Sequence, residues 1–152
     1  MKRLFIYYSL SGSGDAVAEK IKLLGADVRK VAPKKEISGP FLIKMLRGGF
    51  NAARKAAPEL KDFDPSVEGY DEVIIGSPIW NSRIAPPVNT VLKKLSGSEV
   101  KKSFILWSGG GTAPKAVERI GAEYPGADII ILNNPSAYPA ELEKISLEKN
   151  YA

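Results

Sequence analysis

The chain has 152 residues, 44% hydrophobic and 26% charged, which is the size and composition of one folded domain and excludes a disordered or fibrous chain. It has no cysteine and no histidine, which excludes disulfides, thiolate nucleophiles, a Ser-His-Asp triad and Cys- or His-ligated metals. The formal charge is +5, from 22 basic and 17 acidic residues. Any chemistry must therefore use a borrowed cofactor, backbone dipoles, hydroxyls, carboxylates or Lys and Arg.

Met1-Lys2-Arg3 opens like a secretory signal, but the apolar stretch that follows is only Leu4–Tyr8. That is too short for a signal core and far from the ~20 residues of a membrane span. It reads as a strand buried on both faces, and the expected location is cytoplasmic. Ser13–Leu24 follows as a helix, with Val17, Ile21 and Leu24 at helical spacing and Gly25 as the stop. Ala26–Val31 is a short second strand. Phe41–Ala57 reads as a helix kinked or split at Gly48-Gly49, and Pro58–Gly69 as irregular chain.

Glu72–Gly76 is a third buried strand, with Asp71 and Glu72 expected to be solvated. Pro86–Leu95 is a helix that starts on two prolines. Ser103–Trp107 is the fourth strand. Ala113–Tyr124 is a helix with an expected buried stripe of Ala113, Ala116, Val117, Ile120 and Tyr124. Asp128–Leu132 is the fifth strand and Glu141–Asn150 a closing helix. Apolar strands alternating with helices predict a parallel sheet covered on both faces.

Charge is uneven. Residues 29–61 hold nine basic and two acidic side chains. Two readings stand: a solvated face, or a docking surface for an acidic partner. With only Phe41 and Phe50 as aromatics there, the segment offers no stacking platform for nucleic acid.

In such sheets ligands bind beyond the carboxyl ends of the strands, which singles out three loops. After the first strand, Ser9-Leu10-Ser11-Gly12-Ser13-Gly14-Asp15 leads into a helix N-terminus. Its amides, hydroxyls and helix dipole suit a phosphate. No Lys follows either glycine, so it is not a Walker loop, and Val17 stands where a dinucleotide fingerprint needs its third glycine. Arg29-Lys30 at the end of the second strand keeps a 2′-phosphate reading, and hence NADP, open. After the third strand comes the polar loop Gly76–Pro87, with Trp80 placed to stack on a flat ring. After the fourth comes Ser108-Gly109-Gly110-Gly111-Thr112, whose backbone can approach a planar polar edge closely.

Taken together these loops resemble the flavodoxin family over essentially the whole chain. The family's S-x-T-G-N-T phosphate signature is matched by Ser9-Leu10-Ser11-Gly12-Ser13-Gly14. Its Tyr-Asp, Gly-[ST]-Pro-[IV]-[WY] and Pro-Pro landmarks are matched by Tyr70-Asp71, by Gly76-Ser77-Pro78-Ile79-Trp80 and by Pro86-Pro87. Its Ser-Gly-Gly loop is matched by Ser108-Gly109-Gly110. The resemblance implies a three-layer α/β fold, a five-stranded parallel sheet in the order 2-1-3-4-5 with helices on both faces.

It also implies non-covalently bound FMN and electron transfer between redox partner proteins. By position, Ser9, Leu10, Ser11, Gly12, Ser13 and Gly14 would hold the phosphate. Ser77, Pro78, Ile79 and Trp80 would line the isoalloxazine, with Asn81 and Ser82 near its N5. Ser108, Gly109, Gly110 and Gly111 would meet its pyrimidine edge. Trp107, ending the fourth strand, belongs either to the core or beside the flavin. An NAD(P)H-dependent FMN oxidoreductase acting on a quinone, flavin or small acceptor is the alternative from a different class. The chain departs from the family at Gly14, where the signature has Thr, at Ser82, where Gly is frequent, and in being basic.

Overall fold

A computed structural model of the chain describes residues 1–35 and 56–147. Among the described residues there are six strands in chain order: β1 (Arg3–Tyr7), β2 (Asp27–Lys30), β3 (Glu72–Trp80), β4 (Arg83–Ile84), β5 (Lys101–Ser108) and β6 (Ile129–Asn133). Five are parallel in the order β2-β1-β3-β5-β6, and β4 pairs antiparallel with β3. With β4 set aside, this is the expected 2-1-3-4-5 sheet. The helices among the described residues are α1 (Ser13–Leu23), α2 (Pro86–Lys94), α3 (Pro114–Glu123) and a 3-10 helix over Pro139–Lys144.

Alternation along each strand builds two cores. Leu4, Ile6, Tyr8, Val73, Ile75, Phe104 and Leu106 face one way and pack under Val88, Val91 and Leu92 of α2 and Ile120 of α3. Phe5, Tyr7, Ile74, Ile105 and Trp107 face the other way, under Val17, Ala18 and Ile21 of α1. Each such buried side chain contributes about 1.5–3 kcal/mol of transfer free energy. This places Trp107 in the core. α1 ends in a Schellman motif: Gly25 adopts φ 94°, its N–H donates to Lys22 O, and Ala26 N–H donates to Ile21 O.

Four expectations are corrected. Glu72 is not solvated: it is fully buried and accepts from Arg3 Nε at 2.9 Å. Register brings Arg3, Glu72 and Lys101 side by side across β1, β3 and β5, and Arg3 Nη2 also donates to Leu147 O at 2.8 Å. Leu24 and Val117 are exposed, because α1 stops at Leu23 and only Ala116 and Ile120 of α3 are buried. The loop after β3 begins as a hairpin rather than at Gly76. The closing helix is replaced by the 3-10 helix and an extended turn at Ile145 (φ −80°, ψ 120°). Ile145 and Leu147 there bury at strand-like spacing against the α1 face. Most of the expected helix over 41–57, and the end of the closing one, lie outside the described residues.

Candidate functional site

Leaving β1 the chain turns outward to β2, and leaving β3 it turns the opposite way to β5. The crevice of a doubly wound sheet lies at this reversal, beyond the carboxyl ends of the strands. The three predicted loops all emerge there.

In the first loop, Gly12 takes φ 88° as the N-cap of α1, a conformation that disfavours any side chain. As a glycine, the N-cap has no side chain to bond the helix end. Ala16 N–H is bonded back to Gly12 O, and Ser9 Oγ accepts from Gly12 N (3.2 Å) and Gly14 N (3.0 Å). Ser9 therefore stiffens the loop while its own proton stays available to an acceptor. The helix geometry leaves the first-turn amides of Ser13 and Asp15 without intrahelical acceptors. Ser11 is exposed and Leu10 half-buried. Ser13 is buried, its hydroxyl 2.8 Å from Ser136 Oγ and accepting from Ser136 N, so it closes the loop against the chain after β6.

Asp15 is the one acid in this first turn, and it is turned aside. Tyr7 Oη donates to Asp15 Oδ1 at 2.7 Å and Lys30 Nζ approaches it at 2.9 Å. Partial burial disfavours the charged carboxylate, but hydrogen bonds from Lys30 and Tyr7 and the Lys30 charge outweigh that and hold the carboxyl below its ordinary value. Burial, then the bond to Asp15, pushes the Tyr7 phenol well above its usual range. The positive end of the α1 dipole is left facing the crevice.

The second loop is a β-hairpin. Ile79 and Trp80 pair with Ile84 and Arg83, and Asn81 and Ser82 between them both have positive φ, 50° and 58°. Two central residues with positive φ make the tight turn whose twist matches the strands. Arg119 Nη1, from α3, donates to Ser82 O at 2.7 Å and ties the hairpin down. Trp80 is half-buried, set edge-on to Tyr8 at 5.8 Å and 90°. Ser77 and Pro78 are buried beneath the hairpin; Ser77 Oγ donates to Pro78 O (2.7 Å) and accepts from Ala85 N (2.9 Å). In the third loop Gly110 and Gly111 have positive φ, and Gly110 N donates to Asn133 Oδ1 at 3.1 Å.

Ser9, Leu10, Ser11, Gly12, Trp80, Asn81, Ser82 and Ser108–Gly111 thus reach the surface of one edge, whereas Ser13, Gly14, Ser77 and Pro78 lie beneath it. Sequence reasoning missed Ser136, Asn133 and Arg119, which tie the three loops respectively to the chain after β6, to β6 and to α3; each acts across a long stretch of sequence and carries no motif.

The flavodoxin family model matches residues 2–135. The chain belongs to the flavodoxin family. Among solved structures it is similar to a flavoprotein from Lactobacillus acidophilus in complex with FMN, at 22% identity and a TM-score of 0.72, over 91% of this chain and 97% of that one. It is also similar to a candidate flavoprotein from Bacteroides eggerthii, at 24% identity and a TM-score of 0.73, over 93% of this chain and 96% of that one. No curated protein matches it.

Against the flavodoxin signature, the glycine at position 14 has a visible cause. A Cβ there would lie 2.7 Å from Ser9 Cβ, 2.8 Å from Tyr7 Cδ2 and 2.9 Å from Trp107 Cζ2, so a threonine has no room. Among the described residues the basic segment is also paired in part, Lys30 with Asp15, Lys34 with Glu59 and Arg29 with Asp64.

Proposed function

We propose that this flavodoxin binds FMN non-covalently across the carboxyl edge of its sheet and carries electrons between partner proteins. The observation that carries the proposal is the start of α1. It has a glycine N-cap, first-turn amides of Ser13 and Asp15 without intrahelical acceptors and an acid withdrawn to Lys30 and Tyr7, which is the electrostatic form of a phosphate site. Ser9, Leu10, Ser11, Gly12, Ser13 and Gly14 form the cradle, with neutral amides and hydroxyls as donors. Trp80, Ile79, Asn81 and Ser82 offer a flat aromatic and a polar turn to the ring system, with Ser77 and Pro78 as their buried support. Ser108, Gly109, Gly110 and Gly111 offer main-chain groups to its polar edge. The flavin supplies the redox chemistry when bound, and the protein binds, orients and shields it.

Titrating flavin-free protein with FMN is expected to show saturable binding with a perturbed visible spectrum, and acid release should return FMN rather than FAD. Absence of saturable binding overturns the proposal. The carrier role predicts no steady NAD(P)H oxidation by the protein alone and reduction once a separate reductase is added. Sustained oxidation without one would make it an oxidoreductase instead. Arg83 and Arg119 flank the hairpin, so an acidic partner is expected and electron exchange should slow as salt rises.

A further inference from the structure

Gly14 rests directly on two aromatic rings. Tyr7 is fixed by stacking on Phe5 (5.0 Å, 8° between planes) and by its bond to Asp15. Trp107 is buried in β5, in register with Pro78 of β3 on one side and Leu132 of β6 on the other, so it cannot retreat sideways. The volume a side chain at position 14 would need is already filled by Tyr7, Trp107 and Ser9. The first turn of α1 therefore descends until its backbone meets the rings, and close packing leaves no slack to absorb a change on either side.

We propose that Trp107 is a positioning residue for the anion loop: its indole, with the Tyr7 ring, is the floor that sets the depth of the first turn of α1, and with it the aim of the amides that receive a phosphate ester. The inference rests on the FMN reading for the identity of that ester. It makes residues 14 and 107 a size-matched pair. A methyl added at position 14 lifts the loop, and a smaller side chain at position 107 lets it sink. Both act on the phosphate end of a flavin and leave the ring end, held by the hairpin, unaffected.

The test compares FMN with riboflavin, which lacks the phosphate, on flavin-free wild-type, Gly14→Ala, Trp107→Leu and the double variant. Gly14→Ala is expected to weaken FMN by about tenfold, and the double variant to recover much of the loss, because contacting residues couple non-additively. Riboflavin affinity should stay constant across the set. Independent effects of the two substitutions, or equal effects on FMN and riboflavin, would overturn the inference, since an ordinary core residue would move both ligands alike. Should Gly14→Ala fail to fold, Trp107→Phe gives the same reading: weaker FMN, unchanged riboflavin. Wild-type protein that binds no FMN would sink the functional reading separately. The floor is then tested with inorganic phosphate on a Trp80→Phe protein, where Trp107 is the sole tryptophan. Its emission should shift on phosphate binding, and an unmoved emission would contradict the floor.

Discussion

The two ends of the one sheet are built on opposite rules. At the amino end, Arg3, Glu72 and Lys101 line up across three strands, and Arg3 reaches on to Leu147 O, so buried charge is matched by charge and hydrogen bonds. At the carboxyl end the backbone takes positive φ at Gly12, Asn81, Ser82, Gly110 and Gly111, and amides at the start of α1 stand without helical partners. The same strands thus end in a sealed base and an open, preorganised rim. Asn81 and Ser82, two L residues held at positive φ, and the unmet amides of α1 lie at the rim, where a ligand can reach them.

If the base is purely structural, breaking it should cost stability and nothing else. Glu72→Gln, which leaves Arg3 short of its countercharge, is expected to lower the unfolding free energy by about 3–5 kcal/mol in denaturant titrations. FMN affinity of the molecules that remain folded should not change. At the rim the pattern reverses: Trp80→Ala should weaken FMN and riboflavin alike by about 1–3 kcal/mol, the range for loss of an aromatic stacking partner, with a smaller change in melting temperature.

The hairpin sharpens the contrast further. Ser82→Gly removes the need for an L side chain at φ 58° and should raise stability by about 0.5–1 kcal/mol, while Arg119→Ala should lower it by about 1 kcal/mol. If Ser82→Gly instead destabilises, the turn is not strained. The smallest effect lies in pH. Asp15 has a lowered folded-state pKa, so its contribution is present above the ordinary carboxylate range and is lost as pH falls through the folded value. Tyr7 has a raised one, so its contribution is present below the ordinary phenol range and is lost as pH rises through the folded value. Asp15→Asn should flatten the acid limb of the stability profile. An unchanged limb would mean that Lys30 and Tyr7 do not hold the carboxylate.

Much of this fold is legible because strands buried on both faces read as unbroken apolar runs, as at Leu4–Tyr8 and Val73–Ile75. The rim is legible where glycine, serine and proline punctuate those runs. What escapes is set by distant partners. Glu72 reads as a solvated acid because Arg3 lies 69 residues away, and the bond between the Ser13 and Ser136 hydroxyls has no local signal because the two residues lie 123 positions apart. The hairpin hides because its turn is Asn81-Ser82 rather than an Asn-Gly pair, so the positive φ at its second position has no sequence signal. The closing segment misleads because Ile145 and Leu147 bury at a spacing of two, which helical periodicity does not detect.

The most direct measurement is an amide chemical-shift map of the protein titrated with FMN. The largest shifts should fall on Ser11–Asp15, Ile79–Ser82 and Ser108–Gly111, with Arg3, Glu72 and Lys101 unmoved. Shifts that cluster at the amino end, or no saturable shifts in the loop before α1, would contradict the assignment of the rim as the cofactor site.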